Sequence, residues 1–128
     1  TLHIIKPTVF DLDEKAVRRA GLDYWAKLKP LVWENLQEFL EANLKHKERF
    51  FFATTKSQKA YFEVKFELGD FLFFGSESFG LPDELMKMKK EHLITIPMKS
   101  CGRSLNLATS VGIISFEALR QNFSHFNP

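Results

Sequence analysis

Phe71-Leu72-Phe73-Phe74-Gly75-Ser76-Glu77-Ser78-Phe79-Gly80-Leu81-Pro82 is the stretch whose reading decides the fold. Four apolar residues run into a segment bracketed by two glycines. Pro82-Asp83 then opens a short helix toward Met88, with proline at or near its first turn. A continuous apolar run of this size predicts a buried strand. Working outward, Phe50 to Ala53 reads as a second fully buried strand. His92 to Ile96, closed by Pro97, reads as a third, and Gly69-Asp70 marks the turn before Phe71.

The remaining chain supplies helices between short strands. Leu2 to Ile5 is a strand stopped by Pro7. Asp11 or Asp13 caps a helix through Val17 and Arg19, with Gly21 placed as its C-terminal residue. Leu28 to Trp33 reads as extended, and Pro30 confines it to a sheet edge. From Glu34 to Lys47 the residues Leu36, Phe39, Leu40 and Leu44 recur at helical spacing, giving one buried face. Leu107 to Gln121 is a final helix with Leu107, Val111, Ile114 and Ala118 inward, capped by Ser104 or Asn106. Strands alternating with helices predict an α/β layer structure with a mainly parallel sheet flanked by helices. No repeat, low-complexity tract or linker interrupts residues 1–128, which read as one domain.

Composition agrees with a packed domain: 45% of the 128 residues are apolar and 27% charged. Phenylalanine supplies 14 of the aromatic residues, which favours burial over an exposed stacking surface. The lone cysteine, Cys101, cannot form an internal disulfide and fits a reducing, cytoplasmic setting. No apolar run approaches the roughly 20 residues of a spanning helix, so no membrane role is expected. The net charge of +2 permits a polyanionic partner without arguing for one. The chain opens on Thr1 with neither an initiator methionine nor a secretory leader, so residues are expected to have been lost before it.

In parallel sheets, ligands sit beyond the carboxyl ends of the strands. That rule selects the loops after Ala53, Phe74 and Ile96. Gly75 can supply positive φ or let a ligand approach the backbone, and Glu77 can accept loop N–H groups or a ligand hydroxyl. Read on local chemistry alone, a tight strand-to-helix turn with Glu77 as internal cap accounts for the same residues. A phosphate-cradling P-loop would need Lys-Ser/Thr where Leu81-Pro82 stands. A dinucleotide fingerprint would need glycine, and a nucleophile elbow serine, where Glu77 stands. His3, His46, His92 and His125 lack ligand spacing, so no metal site is expected. Candidate RNA contacts are Arg18, Arg19, Lys56, Lys59, Lys99 and Arg103, each of which serves equally well as ordinary solvated surface.

Four motifs in order carry a resemblance through nearly the whole chain. They are Arg18-Arg19-Ala20-Gly21-Leu22-Asp23-Tyr24, Phe74-Gly75-x-Glu77-x-x-Gly80-Leu81-Pro82, Ile96-Pro97-Met98 and Arg103-Ser104-Leu105-Asn106-Leu107. Together they resemble the SPOUT superfamily of methyltransferases, and most closely its TrmL (YibK-like) tRNA 2′-O-methyltransferases. The resemblance implies an α/β fold with a C-terminal trefoil knot and a homodimer. It also implies S-adenosylmethionine as cofactor and tRNA as substrate, methylated on the ribose of a wobble cytidine or modified uridine. Carried over by position, Ala53 and Thr54 match the first cofactor loop, and Gly75 and Glu77 the second. Ile96, Met98, Ser104 and Leu105 match the third. Arg18, Arg19, Lys56 and Arg103 are the expected RNA contacts.

The sequence departs from that pattern in two places. Relatives begin with another strand and an Asn-Thr-Gly segment ending in an arginine thought to activate the hydroxyl, a stretch that would precede Thr1. Without it the chain is expected to turn over poorly. The tyrosine usual in the final helix is replaced by Phe116. Rival readings are an rRNA 2′-O-methyltransferase, a non-catalytic RNA-binding protein with the knot, and an unknotted flavodoxin-like nucleotide-binding domain.

Overall fold

Aromatic side chains organise each half of the chain. A computed structural model describes residues 1–8, 25–99 and 105–126, which fall into two compact units, Thr1–Lys47 and Glu48–Pro128. The expected helix from Asp11 to Arg19 and its Gly21 terminus lie outside the described residues.

In the first unit, β1 (His3–Ile5) pairs in parallel with β2 (Leu31–Trp33), His3 opposite Leu31 and Ile5 opposite Trp33. The stretch expected to be extended from Leu28 starts later, because Leu28 closes a one-turn helix α1 (Trp25–Leu28). Lys29 then adopts a left-handed φ of 46° and Pro30 offers no N–H, so helix gives way to strand at Leu31. Helix α2 (Leu36–Asn43) is shorter than expected. Asn35 caps it, its Oδ1 accepting from the Glu38 N–H at 2.8 Å, and the chain tightens into a 3₁₀ turn at Leu44–Arg49. Phe39 is the buried residue of this helix, while Leu44, expected inward, is 47% exposed beyond the last α-turn. Phe39 meets the His3 and Trp33 rings edge-on, each at 5.4 Å, and the Trp33 indole N–H donates to His3 Nδ1 at 3.1 Å.

The second unit holds a parallel sheet of order β4-β3-β5: β3 (Phe50–Ala53) lies between β4 (Phe71–Phe74) and β5 (Leu93–Ile94). A central parallel strand is covered on both faces, which is why Phe50, Phe51 and Phe52 are all buried in succession. On one face Phe50 and Phe52 pack on Phe73, with ring centroids 4.8 and 4.9 Å away. On the other, Phe51 lies against Phe66 and stacks on His92 at 4.3 Å. Strand β5 is shorter than the expected His92 to Ile96. His92 ends a 3₁₀ turn (Lys90–His92), and Thr95 leaves β3 to bridge Ala60, donating its N–H to the Lys59 carbonyl at 2.8 Å.

Helix α4 (Leu107–Gln121) has the expected bounds and closes the Phe51 face through Ile114 and Ala118. Its C-terminal end makes a contact that no periodicity announces. The Gln121 amide accepts from the Phe66 N–H at 2.8 Å and donates to the Val64 carbonyl at 2.9 Å, completing the hydrogen bonds of a segment that lacks a strand partner there. Arg49 grips Asp70 in a two-pronged pair, both bonds at 2.7 Å, with its guanidinium 5.0 Å above the Phe51 ring. That pair raises the Arg49 pKa, chiefly through the hydrogen bonds to Asp70. Burial of phenylalanine holds for the core but not throughout: Phe62, Phe79, Phe116, Phe123 and Phe126 are exposed.

Two of these contacts carry measurable stability. Gln121→Leu leaves the Phe66 N–H and Val64 carbonyl unpaired, and urea denaturation should show a loss of about 2 kcal/mol. The second concerns His3, whose pKa is lowered by burial first and the amino-terminal charge second. A lowered folded value means that the fold favours neutral imidazole, so this stability is present above the unfolded value of about 6.5 and is lost as pH falls from there through the lower folded value. Tryptophan emission during denaturation at about pH 7.5 and about pH 5.5 should show the acid-side loss, and His3→Phe should flatten it.

Candidate active site

Because β3, β4 and β5 run parallel, their carboxyl ends at Ala53, Phe74 and Ile94 open in one direction. The three loops that follow converge with the start of α4 on a cavity of about 520 Å³, the size of a small-molecule site. Ala53, Thr54, Gly75, Glu77, Ile96, Met98 and Leu105 all line it, and so does Lys56. Ser104, Arg103, Arg18 and Arg19 lie outside the described residues, as does Cys101. Lys59 stands away from the cavity lining, its ammonium donating to the Glu91 carbonyl.

Short polar side chains fix each loop. In the first, Thr54 donates its N–H to the Ile94 carbonyl at 2.9 Å while its Oγ1 accepts from the Lys56 N–H at 3.1 Å. Ser57 Oγ donates to the Leu93 carbonyl at 2.7 Å, fastening the loop to β5. In the third region, Asn106 caps α4 by accepting from the Thr109 N–H, and Ser110 Oγ donates to the Asn106 carbonyl at 3.1 Å. Of the two caps expected, Asn106 is the one in place.

The second loop corrects two expectations. Gly75 lines the cavity but does not have positive φ. A Cβ there would fall 2.1 Å from the Gly80 carbonyl carbon, so the loop's own backbone requires the glycine. The left-handed residue is Gly80, at φ 68°. Nor is Glu77 the internal cap. Ser76 and Gly80 exchange backbone hydrogen bonds at 3.3 and 3.0 Å, and Ser76 Oγ accepts from the Phe79 N–H at 3.0 Å. Glu77 stays exposed at the cavity mouth, where its carboxylate can meet a ligand hydroxyl or a positive charge. The helix after Pro82 is a single turn, α3 (Asp83–Met86), ending before the expected Met88.

The cavity therefore combines apolar walls (Phe74, Ile96, Met98, Leu105) with a comparable share of polar groups, Thr54, Glu77 and Asn106 among them, a set suited to an aromatic base joined to hydroxyl and amino groups. Sequence reasoning missed Phe79, Asn106 as a lining residue, and Ser110. The last could have been found from its place one helical turn after Asn106. Among the described residues, no cluster of His, Cys, Asp or Glu could hold a metal, and no helix is long and apolar enough to cross a membrane.

Residues 1–116 match the SpoU rRNA Methylase family. A tRNA (cytidine(34)-2′-O)-methyltransferase of Aeromonas hydrophila is 43% identical over 121 residues, covering 94% of this chain and 76% of that protein. The Escherichia coli K12 protein of the same name is 40% identical, with the same shares covered. A structure solved for insight into 2-OH methylation of C/U34 on tRNA superposes with a TM-score of 0.83 at 39% identity, over 96% of this chain and 79% of that one. The fold alone is shared with the SpoU methyltransferase AviRb of Streptomyces viridochromogenes, determined in complex with AdoMet. That match has a TM-score of 0.78 at 21% identity, over 96% of this chain and 50% of that one. By the family match and by this identity to full-length relatives, the chain belongs to the SpoU methylase family.

Proposed function

We propose that this protein transfers a methyl group from S-adenosylmethionine to the ribose 2′-oxygen of the wobble nucleotide, a cytidine or modified uridine, in the tRNA anticodon. The observation that carries this reading is the convergence of the loops after Ala53, Phe74 and Ile94 on one cavity, in a chain whose relatives bear that activity in their names. Ile96, Met98 and Leu105 would flank the adenine, backbone groups at Ala53, Thr54 and Gly75 would hold the ribose and methionine portions, and Ser104 would complete the third loop. When bound, the sulfonium supplies a methyl group already activated for transfer.

The protein's own share is binding and alignment, which suits a cavity with fixed walls and few charges. Glu77 would hold a ribose hydroxyl or face the positive sulfur. Lys56 at the mouth, with Arg18, Arg19 and Arg103, would hold RNA phosphates. A ribose hydroxyl is weakly acidic, so its proton must pass to a group beside the 2′-oxygen. On this reading residues 1–128 form one domain, a view supported by a family match that runs through both compact units. On the same reading the segment after Arg103 threads a loop to make the trefoil knot, and two copies pair in the cytoplasm. Ala108, Thr109, Gly112 and Ser115 of α4 offer a small-residue face to the partner; open space beside Gly112 supports this.

The test is mass mapping of methylated nucleotides after the full-length protein is incubated with bulk tRNA, ribosomal RNA and labelled S-adenosylmethionine. Label on the ribose of the wobble nucleotide is expected. The family's description favours one rival, and label confined to ribosomal RNA would replace the tRNA reading with it. Calorimetry should show roughly micromolar cofactor affinity, weakened about tenfold by Glu77→Gln through loss of a charged hydrogen-bond acceptor. Lys56→Ala should leave that affinity unchanged, raise the KM for tRNA, and lower the salt slope of RNA binding by about one.

A further inference from the structure

We propose that Phe79 is a stacking platform for an unpaired base of the RNA substrate, at or beside the nucleotide whose ribose is presented to the cavity; this rests on the methyltransferase reading above. Phe79 is 91% exposed, yet it lines the cavity, on the turn between β4 and α3. The other exposed phenylalanines among the described residues, Phe62, Phe116, Phe123 and Phe126, do not line it.

An exposed aromatic on a loose loop would have little to say. This one stands on a backbone fixed from three directions. Ser76 and Gly80 exchange hydrogen bonds, the Phe79 N–H itself donates to Ser76 Oγ, and the Gly80 backbone fills the space that a Cβ on Gly75 would need. A ring with two side-chain torsions on such a base loses little freedom when a flat partner covers it.

The surroundings select the partner. Ser76, Glu77, Ser78 and Gly80, its neighbours on the turn, are all exposed, so Phe79 presents one ring beside polar groups at the edge of the cavity's apolar wall. One ring face fits one planar base, and unpaired RNA bases are held by stacking on aromatic side chains. Lys56 lines the same cavity and offers a cation to the adjoining phosphate, whereas Glu77 repels phosphate from its own side, which gives the strand a direction across the mouth.

The test uses the full-length protein with an anticodon stem-loop RNA. Phe79→Ala should weaken RNA binding and raise KM about tenfold or more, the usual loss per stacked base, a larger change than calorimetry shows in the affinity for S-adenosylmethionine. Phe79→Trp should keep binding near wild type, and its added indole emission should be quenched on RNA addition. Phe79→Leu should behave as Phe79→Ala. Wild-type RNA affinity and KM in Phe79→Ala overturn the proposal. So does full recovery in Phe79→Leu, which would reveal a merely apolar contact, or conversion of a dimer to a monomer in sedimentation, which would reveal a surface for a second copy. If the wild-type protein itself neither binds nor methylates the RNA, the functional reading fails; if it does both and Phe79→Ala is silent, only the stacking role fails.

Discussion

Burial of three consecutive phenylalanines in one strand is the constraint on which the second unit depends. Side chains alternate across a sheet, so Phe50 and Phe52 point to one face and Phe51 to the other. All three escape water only if both faces are covered and both edges paired. Parallel neighbours on each side meet that demand, with Phe73 filling one face and Phe66, Ile94 and Ile114 the other. Parallel pairing then has a geometric consequence independent of any ligand: every strand ends on the same side, and the loops that follow must share space there. The cavity is in this sense a product of the core.

Phe50-Phe51-Phe52-Ala53 and Phe71-Leu72-Phe73-Phe74 were legible because a continuous apolar run between turn residues leaves few other solutions, and both strands have the bounds read from the sequence. Helix Leu107–Gln121 was legible for a similar reason, its cap and its apolar period agreeing. What escaped was set by partners distant in sequence. Leu44 fits a helical stripe, but the helix tightens before reaching it. His92 looks like the start of a strand, yet its ring stacks on Phe51 and its Nδ1 lies 2.7 Å from the Phe50 carbonyl, while its backbone turns in a 3₁₀ step. Gln121 reads as one more polar residue at a helix end. Its role depends on Val64 and Phe66, whose backbone it completes from 55 or more positions away.

The candidate site shows the same division. Which loops build it followed from strand direction, and the residues carried over by resemblance that the structure describes all line the cavity. Their individual duties did not follow. Gly75 resembles a residue kept small for a ligand, but it is kept small for Gly80. Glu77 resembles a cap, and the neighbouring serine is the cap. In both cases the residue type was informative and the reason lay in a backbone path that spacing alone does not fix.

Thr54, Ser57, Ser76, Asn106 and Ser110 share one device: a short side chain bonded to backbone within or beside its own loop. Such bonds hold a loop open against collapse without placing a long or charged group in the cavity. They also satisfy backbone groups that would otherwise compete for a ligand's donors and acceptors. The result is a site braced by its own loops, with polar and apolar groups sharing its walls. That combination suits a ligand carrying its own reactive group, because the protein then needs to supply position more than chemistry. It also explains how a site of this kind can be built almost wholly from small polar and apolar residues, with Lys56 and Glu77 as the charged groups among the described lining residues.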